Sequence, residues 1–297
     1  MKFVIRSPTL YVRYRTESGK RLKNLVFRRK LQLLSIHFDR ASIGAHCHGC
    51  GTATSRCDLY MATETKPAEL ENQLLASLSE DTLKRLKPHL QIVHLEHGKI
   101  LYAVDDVVPF AYFPRKGCMI SLLAVTEDGD TAEVGVTGFE GVVAIQSVLG
   151  GRNNSFDFLV QLAGDAWKIK AEILRQEFRK DVKLQDAVLR YMHASVAQIS
   201  QTALCNRLHT VEERLARWLL LCEDRMNGEH ITLTHEMLSK MLGTRRSTVS
   251  LAAATLQNAG LVNYNRGRIA IKDRKGLKSV SCSCYQTVQR RFENLYD

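Results

Sequence analysis

The chain has 297 residues, of which 45% are hydrophobic and 25% charged. This is the composition of a globular protein with room for two domains. No apolar run approaches the ~18–20 residues that a membrane span needs, and residues 1–10 lack the apolar core of a secretory leader. The expected setting is therefore the cytoplasm, with no membrane partner. The net charge is +11, but it is unevenly placed: residues 1–60 carry +9, residues 61–239 carry −6, and residues 240–291 carry +10 with Asp273 as their one acid. An anionic partner is implied, and the C-terminal block is the place to look for its contact surface.

Residues 1–60 are basic and weakly periodic, and the organised pattern begins only near Glu69. One reading is a basic tail that adds non-specific affinity for a polyanion. The preferred reading is an extension that is disordered, or that lies upstream of a true start at Met61. The segment holds Cys47, Cys50 and Cys57, spaced such that an iron–sulfur cluster or zinc is conceivable.

Residues 61–181 read as a β domain. The stretch 74–86 reads as two short helical pieces joined at Ser79. Glycines then punctuate β-rich runs at 100–104, 111–113, 119–125, 132–136, 156–162 and 167–169, with a hairpin turn at Glu127, Asp128, Gly129 and Asp130. Many short strands with regular turns predict a sandwich or jelly roll.

No glycine or proline occurs between Asp165 and Asn227, too long a stretch for one ordinary helix. Residues 182–209 carry two apolar stripes. One is Leu189, Met192, Val196, Ile199 and Ala203. The other is Leu184, Val188, Tyr191 and Ser195. Two stripes predict two covered faces, one on the β domain and one on a second copy of the chain. Thr210 and Glu213 have the spacing of a capping box that opens a new helix. Cys205 reads as a small core residue, and Cys282 and Cys284 as packing or exposed thiols.

The region 210–297 carries the sharpest pattern. Residues 234–242 form a short amphipathic helix ending on Gly243, Thr244 and Arg245 fill a turn, and a second helix runs from Arg246 to Asn258. Its packing stripe is Val249, Ala252, Ala253 and Leu256; its opposite face carries Arg246, Ser247, Ser250, Leu251 and Ala254, with no acid. A basic hairpin follows, with Arg266 and Arg268 at its tip and Lys272 and Arg274 beyond. Two helices and a basic hairpin make a winged helix-turn-helix over about 213–281. Arg246, Ser247 and Ser250 are placed to meet base edges of double-stranded DNA; Thr244, Arg245, Thr248, Arg266, Arg268 and Lys272 are placed to meet phosphates.

These motifs together resemble the Crp/Fnr family of bacterial transcription regulators. The carriers are VEERLARWLL at 211–220, THEMLSKMLGTRRSTVS at 234–250, LQNAGLVNYNRGRIAIKDR at 256–274, and the β pieces YFPRKGCMISLL and EDGD. The resemblance implies an α+β multidomain chain: a cyclic-nucleotide-binding-like β-roll (jelly roll), a long dimerisation helix and a C-terminal winged helix-turn-helix. It also implies a homodimer on a near-palindromic operator, with RNA polymerase as a further partner. Cyclic-nucleotide binders of this family grip the phosphate with a Gly-Glu loop and an Arg-Ser or Arg-Thr pair. The corresponding positions here are Glu140, Arg152, Asn154 and Ser155, with Asn154 where the arginine is expected. A phosphate there would lose a bidentate partner, so no cyclic nucleotide is expected. The oxygen-sensing branch carries a fourth cysteine late in the roll, where this chain reads Ala166 and Trp167. No catalytic constellation is found, so no enzymatic activity is expected. Two alternatives remain at this point: a metal-dependent redox sensor on the same fold, and a ligand-binding regulatory subunit that does not read DNA.

Overall fold

The computed structural model describes residues 9–12, 25–28, 70–151, 153–228 and 230–296. The chain divides into two compact units, Met1–Met61 and Ala62–Asp297. In the first, strands β1 (Thr9–Val12) and β2 (Leu25–Arg28) pair antiparallel, Thr9 opposite Arg28. These two stretches are rich in β-forming Leu, Tyr, Val and Phe. Cys47, Cys50 and Cys57 lie outside the described residues.

The second unit opens with helices α1 (Gln73–Ala76) and α2 (Glu80–Leu86), separated at Ser79, whose Oγ accepts from the Thr82 amide. Two antiparallel three-stranded sheets follow, in the orders β3-β8-β4 and β6-β5-β7. Their strands are β3 (Gln91–Leu95), β4 (Phe110–Pro114), β5 (Met119–Val125), β6 (Thr131–Thr137), β7 (Asp157–Leu162) and β8 (Gly164–Lys170). This is the expected β-roll, with Ile120, Phe158, Val160 and Ala166 buried in its core. Two details differ. Gln91–Leu95 is a strand that the hydrophobic pattern did not flag, because most of its side chains stay partly in water. Residues 100–104 form no strand; Ile100 makes only an isolated bridge to Leu159, since the chain turns at once through Ala103, Asp105 and Asp106.

The glycine-free stretch divides into three helices after the roll: α4 (Ala171–Lys180), α5 (Val182–Leu208) and α6 (Val211–Glu223), with the short α3 (Gln146–Leu149) lying earlier. Asp181 makes the first break. Its backbone is extended, its carboxylate caps the Leu184 amide, and Arg85 and Thr82 hold it from α2, each at 2.5 Å. These bonds keep the Asp181 carboxyl below its usual range, the Thr82 hydroxyl contributing most. The second break is the Thr210–Glu213 capping box, present in both directions.

Of the two stripes on helix α5, one is covered within the chain and the other is largely exposed. Leu184, Val188, Tyr191 and Ala194 are buried against Leu74, Leu75, Leu174 and the roll. Each such fully buried aliphatic side chain contributes about 1.5–3 kcal/mol relative to exposure. On the other face Leu189 is 53% and Val196 55% exposed, and Ala203 is exposed with Met192 and Ile199 half-buried.

Candidate nucleic-acid interface

The C-terminal region is built on α6. Trp218, Leu219 and Leu220 form one continuous core with Leu238, Val249, Leu256, Ile269 and Tyr285. Helix α7 (His235–Leu242) starts at Thr234, whose hydroxyl accepts from the Met237 amide. It stops at Gly243, whose φ of 55° is the left-handed conformation a helix C-terminus favours in glycine. Thr244 N then returns to the Ser239 carbonyl at 3.0 Å, turning the chain into α8 (Arg246–Asn258).

Helix α8 buries Val249, Ala252, Ala253 and Leu256, as its periodicity predicts. The alanines let it approach α6 and α7 closely. Arg245 caps its N-terminus with no side-chain hydrogen bond, so the first amides and the positive end of the helix dipole face outward. Arg245, Arg246 and Ser247 are exposed, Thr244 and Thr248 half-buried. Leu251, 65% exposed, is the apolar member of this outer face, suited to a thymine methyl.

Ser250 is half-buried and makes two contacts within the protein. Its Oγ donates to the Arg246 carbonyl at 3.0 Å and lies 2.8 Å from His235 Nδ1. With the serine proton on the carbonyl, the imidazole Nδ1–H donates to Oγ. The hydroxyl proton is thus engaged within the protein, which leaves one acceptor position on Oγ. His235 stacks on Tyr264 at 4.5 Å between ring centroids, and the Tyr264 hydroxyl donates to the Leu233 carbonyl. One imidazole therefore joins α7, α8 and the wing, a link of residues 15 and more apart that helical periodicity cannot show. Partial burial, then the Arg246 charge, pull the His235 pKa down, which favours the neutral imidazole.

The wing is β10 (Val262–Asn265) and β11 (Arg268–Ile271), with β9 (Ile231–Thr232) as a third strand. Its turn places Arg266 at φ 47° and Gly267 at φ 76°, the two positive values of a tight primed turn. Arg266, Arg268 and Lys272 are exposed. None of these, nor Arg245 or Arg246, makes an ion pair among the described residues. Arg274 differs: it is tied to Glu223, Asp224 and the Tyr285 hydroxyl, so it anchors α9 (Arg274–Val280) to α6 and is not available to a phosphate.

Among the described residues, Glu140, Asn154 and Ser155 do not form an anion grip. Glu140, 4% exposed, accepts through Oε1 from Arg225 Nε at 3.0 Å, Arg225 Nη2 at 2.8 Å and the Gly138 amide at 3.0 Å. Arg225 is itself buried and also donates to the Leu221 carbonyl. Glu140 is thus neutralised by the far end of α6. Asn154 is buried, with its amide spent on the carbonyls of Ala103 and Phe156. Ser155 is exposed, and Arg152 lies outside the described residues.

Sequence comparison assigns residues 213–280 to the Crp-like helix-turn-helix domain family. Over 210 residues the chain is 25% identical to the global nitrogen regulator of Synechococcus elongatus, covering 68% of this chain and 93% of that protein. Among solved structures it is similar to FixK2 from Bradyrhizobium japonicum, with a TM-score of 0.56 and 16% identity over 65% of this chain and 98% of that one. A CRP-family transcriptional regulator from Thermus thermophilus gives 0.54 and 14%, over 64% and 96%. No described helix is long and apolar enough to cross a membrane.

Proposed function

The chain carries a Crp-like helix-turn-helix domain on a Crp/Fnr fold, and from that premise we propose that it is a dimeric, sequence-specific, DNA-binding transcription regulator of the cytoplasm. The observation that carries this reading is the outer face of α8 beside the wing. It gathers Arg245, Arg246, Arg266, Arg268 and Lys272, all exposed and unpaired within the described residues, on a chain whose central body is acidic. A cationic face left free of internal acids fits the phosphate backbone. Arg246 and Ser247 at the helix N-terminus are the base-reading pair, with Leu251 beside them.

The face of α5 that carries Leu189, Met192, Val196, Ile199 and Ala203 is the dimer seam in this reading. Two copies place two α8 helices on successive major-groove segments, about 34–36 Å apart, on a near-palindromic operator. RNA polymerase is the further partner that the family resemblance suggests. The β-roll serves as a degenerate sensor that does not take a cyclic nucleotide, because Glu140 is paired to Arg225 and Asn154 is spent on its own loop. A regulatory subunit without DNA reading has no use for the free cationic face of α8.

The test is selection of a site from a random DNA pool, followed by fluorescence anisotropy with wild type and Arg246→Ala. The substitution is expected to cost about 1–3 kcal/mol at the selected site and to relax preference at one base pair. A variant with unchanged affinity and unchanged preference removes Arg246 from the reading role.

A further inference from the structure

Cys205 lies in the last turn of α5 and His209 is the residue that ends that helix. Cys282 follows α9, and Cys284 is the first residue of α10 (Cys284–Glu293). Their ligand atoms all fall within 4.8 Å of one another. Cys205 Sγ is 3.5 Å from Cys282 Sγ, and Cys284 Sγ is 3.5 Å from His209 Nδ1. All three thiols are at most 4% exposed, and each is free rather than in a disulfide.

Apolar packing does not account for this cluster. It collects a histidine nitrogen, three sulfurs and the Gln201 amide, which donates to Cys284 Sγ at 3.0 Å. Two buried arginines of α6, Arg214 and Arg217, stand beside it, each with an Nε that has no hydrogen-bond partner. Neither makes an ion pair with a carboxylate among the described residues. Two buried guanidinium groups next to three neutral thiols would be uncompensated, and isolated buried charge is costly.

We propose that Cys205, His209, Cys282 and Cys284 form a closed tetrahedral zinc site that staples the end of α5 to α10. Zinc–sulfur bonds of about 2.3 Å set tetrahedral ligand atoms roughly 3.8 Å apart, which the spacing here matches. An iron–sulfur cluster spreads its ligands around several metal atoms and needs a wider set. Binding releases the three thiol protons to solvent and uses the lone pair of neutral His209. Three thiolates and Zn2+ leave one net negative charge, which offsets one of the two positive charges that Arg214 and Arg217 bring. Gln201 orients the Cys284 sulfur from outside the ligand set. Four protein ligands leave no open position, so the ion is structural and not catalytic. The staple sits at the joint between α5 and α6, so it fixes how the dimer helix hands over to the DNA-reading domain. Nothing in this inference depends on DNA binding.

The experiment uses the full chain, purified without chelator, with metal content measured by plasma mass spectrometry. The expected result is one zinc per chain. Cys282→Ser, Cys284→Ser and His209→Ala should each lose most of it. Cys222→Ser, a buried thiol of α6 outside the cluster, should keep one, as should the combined Cys47→Ser, Cys50→Ser, Cys57→Ser variant. Because a ligand variant can lose metal by misfolding, wild type is also stripped and refilled with Co2+. The intense visible bands of a tetrahedral thiolate site are expected. Zinc absent from wild type together with weak octahedral cobalt bands overturns the proposal. So does full zinc in both cysteine variants, loss of zinc in the N-terminal triple variant, or a Cys205–Cys282 disulfide as the native state.

Discussion

Glu133 of β6 offers a sharp test of how the β-roll is joined to the DNA-reading domain. The carboxylate is 5% exposed. Its Oε2 accepts from Ser121 Oγ at 2.6 Å and its Oε1 from Trp218 Nε1 of α6 at 2.9 Å. Burial pushes its pKa up from the usual 4.5 to about 7, against the hydrogen bonds of Ser121 and Trp218 and the charges of Arg217 and Arg225. The folded chain therefore holds this proton up to near neutrality, whereas the unfolded chain releases it near 4.5. Between those values the folded state binds more protons, so this contribution to stability is complete below 4.5 and is lost as pH rises toward 7. At about 1.4 kcal/mol per pH unit, the interval places roughly 3 kcal/mol in this one group. Glu133→Gln keeps the shape, an acceptor for Trp218 and a polar partner for Ser121, and removes the titration. Urea unfolding, followed by tryptophan fluorescence from pH 5 to 8, should show the two proteins close at pH 5. At pH 8 the glutamine variant should be more stable by up to roughly 3 kcal/mol. A difference between the two proteins that is constant across this range would mean that Glu133 is already ionised when folded, and would refute the reasoning.

Arg268→Ala should weaken binding to all DNA sequences alike and flatten the dependence of log K on log salt by about 0.9, one phosphate contact; a slope equal to wild type places the wing tip off the backbone. Val196→Glu puts a charge in the middle of the exposed stripe of α5 and should turn dimer into folded monomer in sedimentation; a variant that still dimerises moves the seam elsewhere. Arg225→Met leaves Glu140 buried without its partner and should cost about 3–5 kcal/mol in urea unfolding, with much of the loss recovered when Glu140→Gln is added. Strictly additive losses would show that the pair is not coupled.

The parts legible in the sequence were those whose signal is local. The stripe Val249, Ala252, Ala253, Leu256 and the stop at Gly243 are encoded within a few residues, and the structure has both. The two faces of α5 follow from one helical period. What stayed hidden was long-range pairing. Glu140 and Arg225 are 85 positions apart, so the motif position of Glu140 suggested a ligand contact when its partner is an internal arginine. Ser250 lay on the outer face by periodicity, but a helical wheel carries no information on His235. Cys205 and Cys282, 77 positions apart, each looked like an unremarkable thiol. The strand at Gln91–Leu95 escaped because its mixed burial weakens the alternation that marks a half-buried strand.

Several of the long-range polar pairings fall where the β-roll meets the C-terminal region. Glu133 receives Trp218, Glu140 holds Arg225, and the Tyr296 hydroxyl donates to the Glu140 carbonyl at 2.7 Å. Gln198 of α5 adds a bond to the Val136 amide at 2.5 Å. These polar contacts accompany an apolar one, since Met119, Leu123 and Val136 of the roll share a continuous core with Leu219, Leu238 and Val249. The weaker of the two holds is Glu133, which carries no paired cation and titrates near neutrality. Glu140 is held by two guanidinium nitrogens of Arg225 that both donate to its Oε1. Ionisation of Glu133 makes it a better acceptor for Trp218 but leaves a buried charge without a paired cation, so the pH series with Glu133→Gln separates the cost of that burial from the hydrogen bond.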